Sequence, residues 1–98
     1  MKPLVARILE PDDARASFVL ARLGQPELDL VTWRQTIRAA GREAPESAII
    51  GVSNLAGCFL ALLRCSDGQV SVIVASAVLA GEERDLICVA RSVVVRRL

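Results

Sequence analysis

Residues 47–79, SAIIGVSNLAGCFLALLRCSDGQVSVIVASAVL, contain three apolar runs separated by two turn-like breaks, and this stretch decides the fold. Arg64 and Asp67 are its only charged residues. Runs of this length, rich in Val, Ile, Leu and Ala and bounded by Gly, Asn, Asp and Ser, are typical of strands buried on one or both faces of a sheet. The sequence therefore predicts three strands, over residues 48–52, 58–65 and 69–77.

The two breaks predict that these strands form an antiparallel meander. Ser66-Asp67-Gly68 has the composition of a tight hairpin turn, because Asp caps its own backbone and Gly tolerates positive φ. Residues 53–57 form a longer connection, in which Asn54 and Gly57 are expected to take left-handed conformations. Gly51 and Gly57 are compatible with a bulge or a close backbone approach as well as with simple turn formation.

One strand and two helices are predicted before the meander. Residues 4–9 form a short apolar run that ends at Glu10-Pro11, which favours a strand. Residues 13–23 predict a helix whose apolar face comprises Ala16, Val19, Leu20 and Leu23. Residues 30–40, capped by Asp29, predict a second helix whose apolar face comprises Leu30, Trp33, Ile37 and Ala40. Trp33 is expected to anchor the core, with a partner for its indole N–H.

The last segment opens with Glu82-Glu83-Arg84-Asp85, and acidic residues at this position favour the start of a helix. Its apolar stripe comprises Leu86, Ala90, Val93 and Val94. The Val-rich end, residues 92–95, is also compatible with a strand, so both structures remain open for residues 86–97. The predicted order is strand, helix, helix, strand, strand, strand, helix. This is a single α+β domain over residues 1–98, sandwich-like, with a largely antiparallel central sheet packed by helices.

Composition excludes several kinds of function. The net charge is +1 and both halves of the chain are balanced, so no surface for nucleic acid is expected. Cys58, Cys65 and Cys88 lie in apolar runs without Cys-x-x-Cys spacing, and the chain has no His. We therefore expect no metal site, and we interpret the cysteines as buried free thiols of a cytoplasmic protein.

The apolar content predicts a partner rather than a membrane. The first residues lack the apolar region of a secretory signal, and the uncharged run 47–63 is shorter than the ~20 apolar residues that a spanning helix needs. Hydrophobic residues nevertheless make up 53% of the chain. We expect part of this excess to lie in an interface with a second copy or with another protein.

The order of the elements resembles the first half of the GNAT superfamily of N-acetyltransferases. The resemblance rests on ARILEPDDARASFVLARL (residues 6–23), on Leu-Asp-Leu-Val-Thr-Trp-Arg at the second helix, and on the apolar hairpin that contains Ala56-Gly57-Cys58-Phe59. It implies a degenerate or truncated member of that fold. It also implies acetyl-CoA as cofactor and transfer of its acetyl group to an amine.

The resemblance is weakest at the functional loop. In the family, the loop that binds the pyrophosphate reads Gln/Arg-x-x-Gly-x-Gly/Ala, whereas here residues 78–83 read VLAGEE and only Gly81 matches. By resemblance, Leu79, Ala80 and Gly81 are the expected cofactor-binding residues, with Glu82 or Glu83 as the catalytic base. Both acids are also explained as first-turn residues that stabilise a helix, and they oppose a pyrophosphate by charge repulsion. The alternative function is therefore a non-catalytic interaction or oligomerisation module of the same fold.

Overall fold

The computed structural model describes residues 4–42, 47–67, 69–79 and 81–97, with side chains up to Val94. It contains four strands and three helices in the predicted order. These are β1 (Val5–Ile8), α1 (Ala14–Gly24), α2 (Leu30–Arg42), β2 (Ser47–Ser53), β3 (Phe59–Ser66), β4 (Gln69–Ala75) and α3 (Glu83–Arg97). Short 3-10 turns, Pro11–Asp13 and Ala77–Leu79, precede α1 and α3.

The four strands form one sheet in the order β1-β2-β3-β4, and every neighbouring pair is antiparallel. The predicted meander is confirmed, and β1 joins it by pairing with β2. The α+β fold class is therefore correct. The meander follows from short connections, because antiparallel neighbours need only a tight turn between them.

Helices cover both faces of the sheet, which creates two cores. α1 and α2 pack on one face, in a core that includes Ile37, Ile49 and Leu62. α3 packs on the other face, against Ile50 and Leu63. Every residue of β2 is buried, because this strand has neighbours on both sides and helices above and below. This explains why residues 48–52 are apolar without alternation.

A bulge in β4 switches which core its valines reach. The pairing with β3 shifts between Leu62, which faces Val74, and Leu63, which faces Val72, so Ile73 is the extra residue. Val72 packs in the α3 core, whereas Val74 packs in the core under α1 and α2. Without the bulge, Val72 and Val74 would lie on the same face of the sheet, because side chains alternate along a regular strand.

Gly51 is the position where a side chain cannot fit. A Cβ atom built there lies 2.5 Å from the ring of Phe59 and 2.7 Å from Leu9. The sequence was compatible with a bulge, a close backbone approach or a simple turn at Gly51, and the structure shows the close approach of other residues to its backbone. In the connection that follows, Gly57 has φ +86°, as predicted. Asn54 does not take the left-handed conformation; its side-chain carbonyl instead accepts from the N–H of Cys58 at 3.0 Å.

The β3–β4 turn contains Asp67 at φ 52°, between the paired residues Ser66 and Gln69. This agrees with the predicted hairpin, although Gly68 itself lies outside the described residues.

The predicted apolar face of α1 is wrong except at Leu20. Val19 is 75% exposed, Leu23 is 67% exposed and Ala16 is also exposed. The buried residues are small ones, Ala14, Ser17 and Ala21, together with Leu20. Small side chains let the helix approach the sheet closely, and Ser17 is accommodated because its hydroxyl accepts from the indole N–H of Trp33 at 2.9 Å.

The other two helices agree with the prediction. In α2, Trp33, Ile37 and Ala40 are buried, and the side chain of Asp29 caps the helix by accepting from the N–H of Thr32 at 2.7 Å. The helical interpretation of the last segment is confirmed, since α3 continues to Arg97, and the strand alternative is wrong. Leu86, Ala90 and Val94 form its buried stripe.

Candidate functional site

The cofactor-binding residues predicted from the resemblance fall where β4 turns into α3. Leu79 is buried in the α3 core, and its backbone closes the turn: its N–H donates to Ser76 at 2.9 Å and its carbonyl accepts from Glu82 at 3.0 Å. Gly81 is exposed at φ +85°, and a Cβ built there meets no atom within 4 Å. Ala80 lies outside the described residues. Gly81 thus has open space around its Cα atom.

The acidic residues stand at the start of α3. The first helical bond runs from the N–H of Leu86 to the carbonyl of Glu82 at 3.1 Å, so the N–H groups of residues 83–85 have no partner within the helix. Glu82, Glu83 and Asp85 are all exposed. Their charges stabilise the positive end of the helix, and they repel an anion at the same place.

The two predicted catalytic residues stand apart from the two grooves described below. Glu82 and Glu83 are exposed, and within the part of the chain that the structure describes their carboxylates accept no hydrogen bond. Two open grooves lie elsewhere. One, of about 560 Å³, runs between Ile8–Asp12 and the end of α2. The other, of about 380 Å³, lies on α1 beside Phe18 and Leu23. Both carboxylates therefore face solvent in the structure.

The edge of the sheet at β4 lies next to residues 79–85 in the chain and is the second candidate site. Among the residues that the structure describes, β3 is the only strand that pairs with β4. The seven residues Gln69–Ala75 include no charge and no proline. Ile73 is 41% exposed on this strand. A long, neutral, apolar edge is a ready template for pairing with another strand.

The direction in which each β4 residue points its N–H and carbonyl can be derived from the hydrogen bonds between β1 and β2. The N–H of Leu9 donates to the carbonyl of Ile49 at 2.8 Å, so Ile49 points at β1. In antiparallel pairs, successive residues point alternately at one neighbouring strand and at the other. Ile50 therefore points at β3, where it lies opposite Leu63.

The same alternation assigns the groups of β4. Leu63 points at β2, so Arg64 points at β4, where it lies opposite Ser71. Ser71 therefore uses its N–H and carbonyl inside the sheet. Val70 and Val72, on either side of it, direct their backbone groups to the open edge. The bond from the N–H of Ser76 to the carbonyl of Leu60, at 2.7 Å, agrees with this assignment, because Leu60, like Arg64, then points at β4.

The signal for this edge in the sequence is weak: residues 68–81 carry no charge. The expectation of an interface came from the apolar content of the whole chain, which does not give the position of the interface. Only the pairing order shows that β4 is an edge while the equally apolar β2 is central.

The cysteines were only partly predicted correctly. Cys65 is buried, as expected, whereas Cys58 and Cys88 are exposed free thiols. Within residues 4–42, 47–67, 69–79 and 81–97, no group of three metal-ligating side chains comes together. None of the helices described there is both long enough and apolar enough to cross a bilayer.

Comparisons with known proteins add no relative: no family model matches the chain, and no curated protein matches it.

Proposed function

We propose that this domain is an interaction module with an acetyltransferase-like fold, and that it works by accepting an additional strand at β4. The observation that carries the proposal is the open edge of seven uncharged residues, Gln69–Ala75. Strand addition uses main-chain hydrogen bonds for affinity and alternate side chains for specificity. Val70 and Val72 offer the main-chain groups.

The energetics favour an apolar strand as the partner. Each backbone hydrogen bond gained contributes about 0.5–1.5 kcal/mol net, because water must be displaced to form it. Further stabilisation comes from covering Ile73 and the partly exposed valines of β4, at about 25 cal/mol per Å² of apolar surface. A charged partner strand would lose this second contribution.

A peptide titration followed by NMR tests the proposal. The probe is a heptapeptide of alternating valine and serine with a lysine at each end for solubility, and the protein is kept dilute. We expect the amide signals of Val70 and Val72 to shift and their N–H groups to exchange more slowly with solvent. The amide of Ser71 should change less, because it is already bonded within the sheet.

The control peptide has proline at alternate positions, so it has the same length but cannot donate along the edge. It should leave the amides of β4 unchanged. Equal effects from both peptides, no effect from either, or shifts confined to β1 would contradict strand addition at β4.

A second candidate function is binding of acetyl-CoA at Gly81 and the start of α3, with acetyl transfer to an amine. The observation in its favour is Gly81, which is exposed at φ +85° just before the N-terminal end of α3. Helix starts of this kind bind phosphate groups. Glu82 and Glu83 act against it, which predicts weak affinity.

Calorimetric titration with acetyl-CoA, up to millimolar ligand, tests this candidate. If the pyrophosphate lies at the start of α3, Glu82→Gln and Glu83→Gln should each tighten binding severalfold by removing repulsion. Asp67→Asn, at the other end of β4, is the matched control and should have no effect. Saturable binding would justify an assay for amine acetylation. No heat of binding in any of these proteins would exclude this candidate.

A further inference from the structure

We infer that the strand added to β4 is β4 of a second copy, antiparallel to the first, so that two sheets join into one. The inference rests on the proposed function, and it names the partner. A neutral strand meets its own copy without repulsion, since no residue of Gln69–Ala75 is charged. Such a contact is isologous and closes by itself, so it forms a dimer and not a fibre.

The outward backbone groups select one register. Val70 and Val72 are the residues whose N–H and carbonyl face the edge, so Val70 of one copy pairs with Val72 of the other. The two-fold axis generates this pair twice, and each pair exchanges two hydrogen bonds. Ser71 then lies directly opposite Ser71 of the other copy, at the axis.

The bulge excludes the neighbouring register. An axis through Val72 would place Val70 opposite Val74. Val74 lies opposite Leu62 beyond the bulge, and its backbone groups point into the sheet toward β3. This register would leave the outward groups of Val70 without partners. The bulge at Ile73 therefore confines pairing to the first part of the strand.

The helices over the edge also fit a second copy. α1 contacts β3 and β4, and Val19 and Leu23 are largely exposed on it. Because the axis is perpendicular to the joined sheet, it brings the two copies of α1 to the same face. Apolar side chains that the monomer leaves in water then lie close to the new interface, where a charged partner would gain nothing from them.

A charge placed at the axis tests the inference. Light scattering should find a dimer at micromolar concentration, and Ser71→Lys should raise its dissociation constant at least about tenfold, because two ammonium groups face each other directly. Ser71 is exposed, and repulsion between the new lysine and Arg64, directly opposite on β3, should cost no more than about 1 kcal/mol of stability, which urea unfolding of the variant measures. The matched control is Val5→Lys on β1, which is also exposed and should not change the dissociation constant.

Disulfide trapping tests the register. In a background of Cys58→Ser and Cys88→Ser, which leaves only the buried Cys65, Ser71→Cys should oxidise to a covalent dimer. Directly opposed residues that are not hydrogen-bonded have Cα atoms about 4.5 Å apart, within the range that a disulfide spans. Gln69→Cys alone should not cross-link, but it should cross-link when mixed with Ile73→Cys.

The outcomes separate this inference from the proposed function. A monomer at all concentrations would overturn self-pairing, and the peptide titration would still decide whether β4 accepts a strand. A dimer that is insensitive to Ser71→Lys would place the interface elsewhere. Cross-linking by Gln69→Cys alone, without cross-linking by Ser71→Cys, would overturn the register.

Discussion

The two edges of this sheet differ in length, charge and local packing. β1 has four residues and ends just before Glu10-Pro11, whereas β4 has seven residues and no charge. On β1, the guanidinium of Arg7 binds both carboxylate oxygens of Asp13, at 2.9 and 2.7 Å, and lies 5.3 Å from the centre of the Phe59 ring. Nothing comparable occupies β4 in the described residues.

The difference indicates which edge is protected. Short edge strands, charged side chains and nearby prolines all hinder the addition of a further strand. β1 has all three features: it has four residues, Arg7 is held in place by Asp13, and Pro11 follows three residues after the strand ends. β4 has none of them. The proposed strand addition at β4 requires this difference between the two edges.

The largest effect on stability should come from Gly51, on the strand beside β1. Gly51→Ala forces a methyl group against Phe59 and Leu9, at distances so short that these side chains must shift. Overpacking of this kind destabilises by about 1–3 kcal/mol. Urea unfolding should show the loss. Because Phe59 would also be displaced from beneath Arg7, the change should loosen the protected edge.

Gly41→Ala is the matched control for Gly51→Ala. Gly41 lies within α2, and a Cβ built there meets nothing within 4 Å. Alanine in a helix is favoured over glycine by about 0.5–1 kcal/mol, so the control should gain stability. Equal losses at both positions would contradict the close packing at Gly51.

A smaller effect should follow from removing the charge on β1. Arg7→Ala deletes the ion pair with Asp13, and because Arg7 is half exposed the expected loss is about 0.5–1 kcal/mol, falling with added salt. Without its charge, β1 becomes more like β4. In the Ser71→Lys background, Arg7→Ala should therefore restore weak association, measured by light scattering.

Arg22→Ala is the control for Arg7→Ala. Arg22 also lies over an aromatic ring, that of Phe18 at 5.7 Å, but its hydrogen bond goes to the carbonyl of Pro26 rather than to a carboxylate. The loss of stability on Arg22→Ala should show little salt dependence, and this variant should not change association. Association restored by both variants would mean that the charge on β1 is not what protects that edge.

The smallest effect should come from Asp29, which lies on neither edge. The hydrogen bonds that its carboxylate accepts from Thr32 lower its pKa below the ordinary value of 3.8. The folded state therefore prefers the charged form. The stabilisation is present above pH 3.8, and it is lost as the pH falls through the lower pKa of the folded protein.

Asp29→Asn keeps a capping oxygen and removes the titration. Thermal unfolding between neutral and strongly acidic pH should show a steeper loss for the wild-type protein than for this variant. Association through β4 should be the same in the wild-type protein and in this variant. Parallel pH profiles would show that the cap does not contribute to the pH dependence.

Local patterns were sufficient for most of the elements. The three β-strands of the meander, the cap at Asp29 and the apolar stripe of α2 were predictable because each depends on residues close together in sequence. α3 was predicted with an alternative, since valine at its end is compatible with a strand. Packing of Leu86, Ala90 and Val94 on the sheet explains why the helix forms there.

The buried face of α1 could not be predicted in the same way. Periodicity favoured Val19 and Leu23 because they are large and apolar. The sheet instead accepts Ala14, Ser17 and Ala21, whose small side chains allow close approach. Ser17 counts as polar in the sequence, and only its hydrogen bond with Trp33, sixteen residues away, makes its burial favourable.

By itself, the sequence determined the order of the strands and helices before residue 86, because helix and strand periods and turn residues are local properties of the chain. It left the last segment open between helix and strand. The tertiary structure decided which strand is the open edge, that the bulge at Ile73 sends Val72 and Val74 to different cores, and which backbone groups face outward. These features depend on contacts between residues far apart in sequence, so no local pattern contains them.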